Sequence, residues 1–313
     1  MAKEALKKKI KERQNGECAL SNVLLEEWTA LFDTDRITPK AQGGTYTDEN
    51  TRVVHPVAHM QRHGNLVIRP ADLDELKRLV DDRQQILKLR NKFANQLLAY
   101  KRQTDSLNPD TVAWLEAQLR GVELKLRERS RAVEKFVKSI DSPLAKAALG
   151  VRGVGPMTVA FCLVYIRLEK AKHASSLWKY TGLHCASHER YTKGEASGGN
   201  KTLRTALYTL ADSQVKSRGP YRKVYDRVKK RLENSRRIVK TRNTQGKLIE
   251  KPWCETKPSH RHSAAMRAIM KHFLADWWYV GRTIAGLPTD PVYPVAHLGH
   301  ERMIMPEERG WVY

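Results

Sequence analysis

The sequence predicts a mainly α-helical chain with a small α+β domain at its N-terminal end. Three observations predict this. Apolar residues recur at threes and fours over long stretches after Pro70, and residues 15–69 are instead punctuated by glycine, proline and acidic clusters around short β-branched segments. The 313 residues are 41% hydrophobic, enough to fill more than one core. We divide the chain into a small α+β domain (1–69), a long helical pair (70–140), a helical bundle (141–285) and an irregular tail (286–313).

Residues 3–14 mix Lys, Glu and Arg with Ala5, Leu6 and Ile10 at helical spacing, which predicts a short basic amphipathic helix. Gly43-Gly44, Pro39, Pro56 and Asp48-Glu49-Asn50 then break the chain around segments such as Arg52-Val53-Val54, as expected for small strands and loops before a short helix. From Pro70, Leu73, Leu76, Val80, Leu87, Phe93 and Leu97 mark one long helix. Asn108-Pro109-Asp110 places a capping side chain, a proline at the first helical position and an acid in the first turn, so a second long helix runs from Pro109 to Ser139. Two such helices joined by a short loop lie antiparallel. Residues 141–215 are richer in glycine and apolar side chains. Residues 217–252 form a basic helix leading into an exposed loop or hairpin at Thr244-Gln245-Gly246, and the helical pattern returns from Ser263 with Met266, Ile269, Phe273, Trp277 and Trp278 as core.

Charge points to the partner. There are 57 Lys and Arg against 34 Asp and Glu, a net charge of +23, and self-repulsion of that size favours a polyanion such as nucleic acid. The longest strongly apolar run, Val159 to Ile166, is the size of a core helix, so no membrane partner is expected. The first residues lack the apolar centre of a secretory signal, and the expected location is the cytoplasm, in a bacterial or phage setting. Cys18, Cys162, Cys185 and Cys254 lie far apart, which predicts neither a disulfide framework nor a sulfur-only zinc site.

Within residues 32–63, Asp35, Gly43-Gly44, Glu49-Asn50 and His59 with His63 occur in the order that carries chemistry in the HNH endonuclease family, and this segment resembles that family. The resemblance implies a ββα-metal fold and hydrolysis of DNA to a 3′ hydroxyl and a 5′ phosphate. It also implies one divalent ion, Mg²⁺ or Mn²⁺, held by Asp35 and His59, with Asn50 ordering the loop. Phosphodiester hydrolysis needs charge neutralisation at phosphate and a base for water. A carboxylate and an imidazole suit such an ion, and His59 and His63 at i and i+4 share one helical face. Where many family members have Asp-His, this chain has Asp35-Arg36, so the base is open between His63 and His55. Where many have four zinc-binding cysteines, this chain has Cys18, Ser21, His55 and Ala58, and a structural zinc is not expected.

Leu149 to Ala160 has the apolar-Gly-apolar-Gly pattern of a helix-hairpin-helix. Gly153 and Gly155 permit the turn, and the next helix directs its first amides at a phosphate; the alternative is a turn used only for close helix packing. Gly153-Val-Gly-Pro156, Tyr180-Thr-Gly-Leu183, Ser197-Gly-Gly-Asn-Lys-Thr-Leu-Arg204 and Ser263 to Lys271 follow one another in an order similar to the C-terminal body of the Piv-invertase-like insertion-sequence transposases. That family carries a RuvC-like domain ahead of this body, whereas here an HNH-like segment stands before residue 70. The resemblance implies a recombination nucleophile at Ser187 or Ser197. The residues expected to touch DNA are Arg36, Arg152, Gly153, Gly155, Lys201, Arg204, Lys229, Lys230 and Arg231.

The leading expectation is a metal-dependent endonuclease whose helical body grips the phosphate backbone of duplex DNA. One rival is a recombinase using Ser187 or Ser197. The other is a non-catalytic DNA- or RNA-binding protein with a decayed nuclease site. Dependence on a guide or structured RNA, and assembly as a homodimer or higher oligomer, stay open at this point.

Overall fold

Helix dominates the molecule, and the strands form two small antiparallel pairs. The computed structural model describes residues 2–20, 33–38, 45, 47–54, 67–68, 70–102, 108–184, 199–242, 245–289 and 304–313. The chain divides into two compact units, Met1–Leu66 with Ile284–Leu287, and Val67–Thr283 with Pro288–Tyr313.

In the first unit, α1 (Ala2–Arg13) lies on a hairpin of β1 (Asp33–Arg36) and β2 (Thr51–Val54), whose register pairs Asp35 with Arg52 and Arg36 with Thr51. The helix stops at Asn15 and Gly16, both at positive φ, where Gly16 N–H donates to Lys11 O at 2.9 Å. Ile10 packs with Cys18, Val53 and Val54 in a small core, each fully buried. Gln14 then acts in place of a third strand. Its Nε2 donates to Val53 O at 2.8 Å and its Oε1 accepts from Val53 N at 2.7 Å, so both backbone groups of Val53 on the outer edge of β2 are paired.

The second unit starts with α2 (Pro70–Arg102) and α3 (Pro109–Ser139). Asn108 Oδ1 accepts from Asp110 N at 2.9 Å, and Pro109 occupies the first turn, where its missing N–H costs nothing. The pairs Asp82–Arg129, Arg83–Ser130, Arg90–Glu123 and Lys101–Glu116 run in opposite directions along the two helices, so they are antiparallel. Burial along α3 falls on Leu115, Val122, Val133 and Val137.

The pair packs on α5 (Pro156–Tyr165), which follows α4 (Pro143–Gly150) through the turn at Val151–Gly155. Because α5 is apolar all round, with Thr158 to Leu163 buried, it is a core helix. The chain continues through α6 (Ala174–Tyr180), α7 (Lys201–Lys216), which packs on α5, and α8 (Arg222–Glu233), then β3 (Ile238–Arg242) with β4 (Leu248–Pro252), and finally α9 (Pro258–Ile284). Trp277 and Trp278 are each 1% exposed, as their helical spacing with Phe273 and Leu274 anticipates. Among the described residues no helix is long and apolar enough to cross a membrane.

The last residues of the chain pack against α9. Residues 304–313 contain a short 3₁₀ turn, Pro306–Arg309, closed by Gly310 at φ 85°. Arg309 grips Asp276 of α9 with Nε and Nη2, Tyr221 Oη donates to the same carboxylate at 2.5 Å, and Trp311 Nε1 donates to Tyr221 Oη at 2.8 Å. Burial raises the Asp276 carboxyl above its ordinary range, against the pull of Arg309 and Tyr221. A buried aspartate is kept only if its oxygens are satisfied, and here three donors satisfy them. That requirement draws Arg309 and Trp311 into the core.

Candidate functional site

Asp35 sits in β1 with 4% exposure, directly across from Arg52 of β2. Arg52 places Nε and Nη2 each 3.0 Å from Asp35 Oδ2. The carboxylate is thus held in one orientation by a cation that sequence reasoning did not single out. An arginine beside Val53 and Val54 in a short strand was the available signal, but its partner depends on a register that composition does not reveal.

Asn50 stands one residue before β2 and ties the connection to the end of β1. Its Oδ1 accepts from Thr38 N at 2.7 Å, and its Nδ2 donates to Thr38 O at 3.3 Å and Thr45 O at 2.8 Å. All of its amide hydrogen-bonding groups act on backbone, so Asn50 shapes the loop. Asp48 is fastened to α1 by Lys9 at 2.7 Å and by Arg13, and the hydrogen bond from Lys9 holds its carboxyl below the usual range. Arg36 is half-buried in β1, beside Asp35. His55, His59, His63 and Gly43-Gly44 lie outside the described residues.

Asp35 is a hard oxygen donor of the kind a magnesium-class ion prefers. Any ion it takes shares the carboxylate with Arg52. Among the described residues no group of three His, Cys, Asp or Glu could hold a metal. A carboxylate suits a divalent ion, and the other expected ligand, His59, lies outside the described residues.

In the second unit, the turn between α4 and α5 is fixed by Gln214 of α7. Gln214 Nε2 donates to Arg152 O at 2.7 Å, and Tyr221 N donates to its Oε1 at 3.3 Å. Gly153 has φ +82°, and a Cβ there would meet Ser217 Oγ at 2.6 Å and Gln214 Nε2 at 2.8 Å. Gly153 is therefore needed for close packing. Gly155 is different: as the N-cap of α5 it has ordinary φ and open space around it. Arg152 is exposed at the same turn.

The Tyr180–Leu183 and Gly199–Arg204 elements meet. Asn200 N donates to Tyr180 O at 2.7 Å, Asn200 Nδ2 donates to Tyr180 Oη at 3.0 Å, and Arg204 Nη1 donates to Gly182 O at 3.0 Å. Gly199, at φ +103°, lies too close to Gly182 N and Tyr180 O to carry a side chain. Arg204 thus makes a structural bond as well as carrying charge. Residues 185–198, with Ser187 and Ser197, lie outside the described residues, but both ends of that segment are pinned together here. Lys201 is exposed at the start of α7.

On α8, Lys230 and Arg231 are exposed, while Lys229 is half-buried over the Tyr225 ring at 5.9 Å. His260 and His262 belong to the start of α9. His262 Nδ1 lies 2.7 Å from Tyr225 Oη, and the His260 ring is 4.9 Å from Trp253, so both have packing roles. Cys162 is buried inside α5, and burial pushes its thiol far above the reactive range. No family model and no curated protein matches the chain.

Proposed function

We propose that the chain is a DNA-binding endonuclease. On this reading the α1–β1–β2 unit cuts a phosphodiester bond at a one-ion site, and the basic helical body holds the duplex. The observation that carries the reading is the Asn50 clamp, which fixes the loop ending at β2 close to a buried, oriented Asp35. Bound there, Mg²⁺ or Mn²⁺ supplies neutralisation of charge at the phosphate. Asp35 and His59 would hold the ion, Arg52 keeps the carboxylate facing one way, Asn50 ties the start of β2 to Thr38 and Thr45, and His63 or His55 would take the proton from water. The net charge of +23 supports duplex DNA as substrate. The test is cleavage of plain duplex DNA with Mg²⁺ or Mn²⁺ by the wild type, Asp35→Ala and His59→Ala. Activity lost in both variants is expected, and activity kept in both would exclude this site.

A second reading has its own support. The contacts of Asn200 with Tyr180 and of Arg204 with Gly182 bring both ends of the 185–198 segment to one place, as a loop presenting a serine nucleophile requires. In that chemistry the serine oxygen bonds to phosphorus as the phosphodiester bond to one deoxyribose oxygen breaks, and the serine proton ends on that oxygen as a free DNA hydroxyl. Cleavage surviving Asp35→Ala but lost in Ser187→Ala or Ser197→Ala, with protein covalently attached to DNA, selects it.

A further inference from the structure

The β3–β4 ribbon makes its extensive contact between its own two strands, and one of its faces is exposed. Its base is fixed. Trp253 N donates to Arg237 O at 3.1 Å and Cys254 N to Ser235 O at 3.0 Å, which extends the ladder past the strands. Arg261 of α9 donates to Cys254 O at 3.1 Å and also to Thr256 O. Pairing therefore continues from Ser235 to Arg242, about 24 Å at the rise of an antiparallel strand.

Strand alternation divides the blade. Ile238, Lys240, Leu248 and Glu250 share the exposed face, with Ile238 56% and Leu248 52% exposed, while Val239, Thr241, Ile249 and Lys251 are half-buried on the other. A two-stranded ribbon with exposed aliphatic side chains on one face has little stability of its own in water and invites association. Its surroundings are strongly basic, with twelve Lys and Arg against three acids in residues 222–251. Arg227, Lys230, Arg231, Arg236 and Arg237 are exposed, and no ion pair among the described residues joins them to an acid.

We infer that the β3–β4 ribbon enters the major groove of B-form DNA with its Ile238, Lys240 and Leu248 face, while the exposed cations of α8 and of the ribbon stem engage the flanking phosphates. The inference rests on the DNA-binding half of the proposed function and adds the element and the groove. A B-DNA major groove, about 12 Å wide, accepts a two-stranded ribbon, whereas the deep, narrow major groove of A-form RNA does not. Aliphatic side chains meet thymine methyl groups there, and a lysine reaches guanine O6 or N7. Arg236, Arg237, Lys230 and Arg231 supply the sequence-independent grip.

The experiment measures binding of the full chain in EDTA by fluorescence anisotropy. The probes are plain duplex DNA, the same duplex with glucosylated hydroxymethylcytosine filling its major groove, and the corresponding RNA duplex. The wild type is expected to bind plain DNA at least about tenfold more tightly than either of the others, the size of one good base contact. Ile238→Ser/Leu248→Ser and, separately, Lys240→Ala are expected to melt at the wild-type temperature, to bind plain DNA more weakly and to lose the discrimination. Equal binding to plain and filled DNA, equal binding to RNA, or discrimination retained by both variants overturns the ribbon assignment while DNA binding stands. Absence of binding to any duplex overturns the underlying reading as well.

Discussion

Asp35 and Arg52 are cross-strand partners, and both guanidinium nitrogens that reach the carboxylate converge on the same oxygen, Oδ2, at 3.0 Å. Arg52 is 19% exposed and Asp35 4%, so water screens the pair weakly.

Removing Arg52 should leave a buried carboxylate without its cation. For Arg52→Gln we expect a loss of about 3 kcal/mol, the low end for a broken buried pair because Arg52 keeps some contact with water. If Asp35 takes an ion, Mn²⁺ should stabilise this variant more than the wild type, since Arg52 then no longer competes for the carboxylate. Thermal melting with and without Mn²⁺ measures both effects. A melting temperature indifferent to Mn²⁺ in both proteins would remove Asp35 from the metal site.

Asn50 contributes through hydrogen bonds to three backbone groups. Asn50→Asp keeps the acceptor for Thr38 N and loses both donated bonds, whereas Asn50→Ala loses all three. The expected costs are about 1 and about 2 kcal/mol, since the site is partly open to water. Limited proteolysis between Thr38 and Thr45 should accelerate in the same order. Equal rates in the two variants would mean that the bond accepted from Thr38 N contributes nothing.

Local signals in the sequence were reliable where the physics is local. Asn108-Pro109 marks the start of α3 because a cap acts within one turn, and the all-apolar Val159–Leu163 segment marks a core helix because it leaves no polar face. The basic run after Arg222 likewise anticipates α8 and the exposed ribbon. Pairings across long separations were not legible. Arg52 with Asp35, Gln214 with Arg152 and Arg309 with Asp276 depend on register and packing that only the assembled fold determines. Trp311 with Tyr221 is a further example, because nothing near Trp311 in the sequence announces its partner.

The two glycines of the α4–α5 turn should separate packing from phosphate contact. Gly153→Ala combines φ +82° with a Cβ that collides with Ser217 and Gln214, so a cost of about 2 kcal/mol is expected in chemical denaturation. Gly155→Ala meets open space at φ −93° and should leave stability within about 0.5 kcal/mol. If the first amides of α5 approach a phosphate, Gly155→Ala should still weaken duplex DNA binding severalfold by adding a methyl group at that surface. Unchanged affinity in a stable Gly155→Ala protein would assign the turn to packing alone.

Acid sensitivity should trace in part to His272 on α9. Burial, reinforced by the nearby cations Arg309, Arg227 and Lys271, pushes its imidazole down to about 4 from an ordinary value of 6.5. Between these values the unfolded chain binds a proton that the folded chain refuses, so stability rises with pH through this window. The contribution is complete above pH 6.5 and is lost as pH falls toward 4, by about 3 kcal/mol for a shift of this size. His272→Gln, which cannot titrate, should flatten the dependence in this interval. Urea unfolding of both proteins at pH 7.5, 5.5 and 4.5 compares the slopes, and parallel losses would show that the imidazole is protonated equally in the folded and unfolded chains.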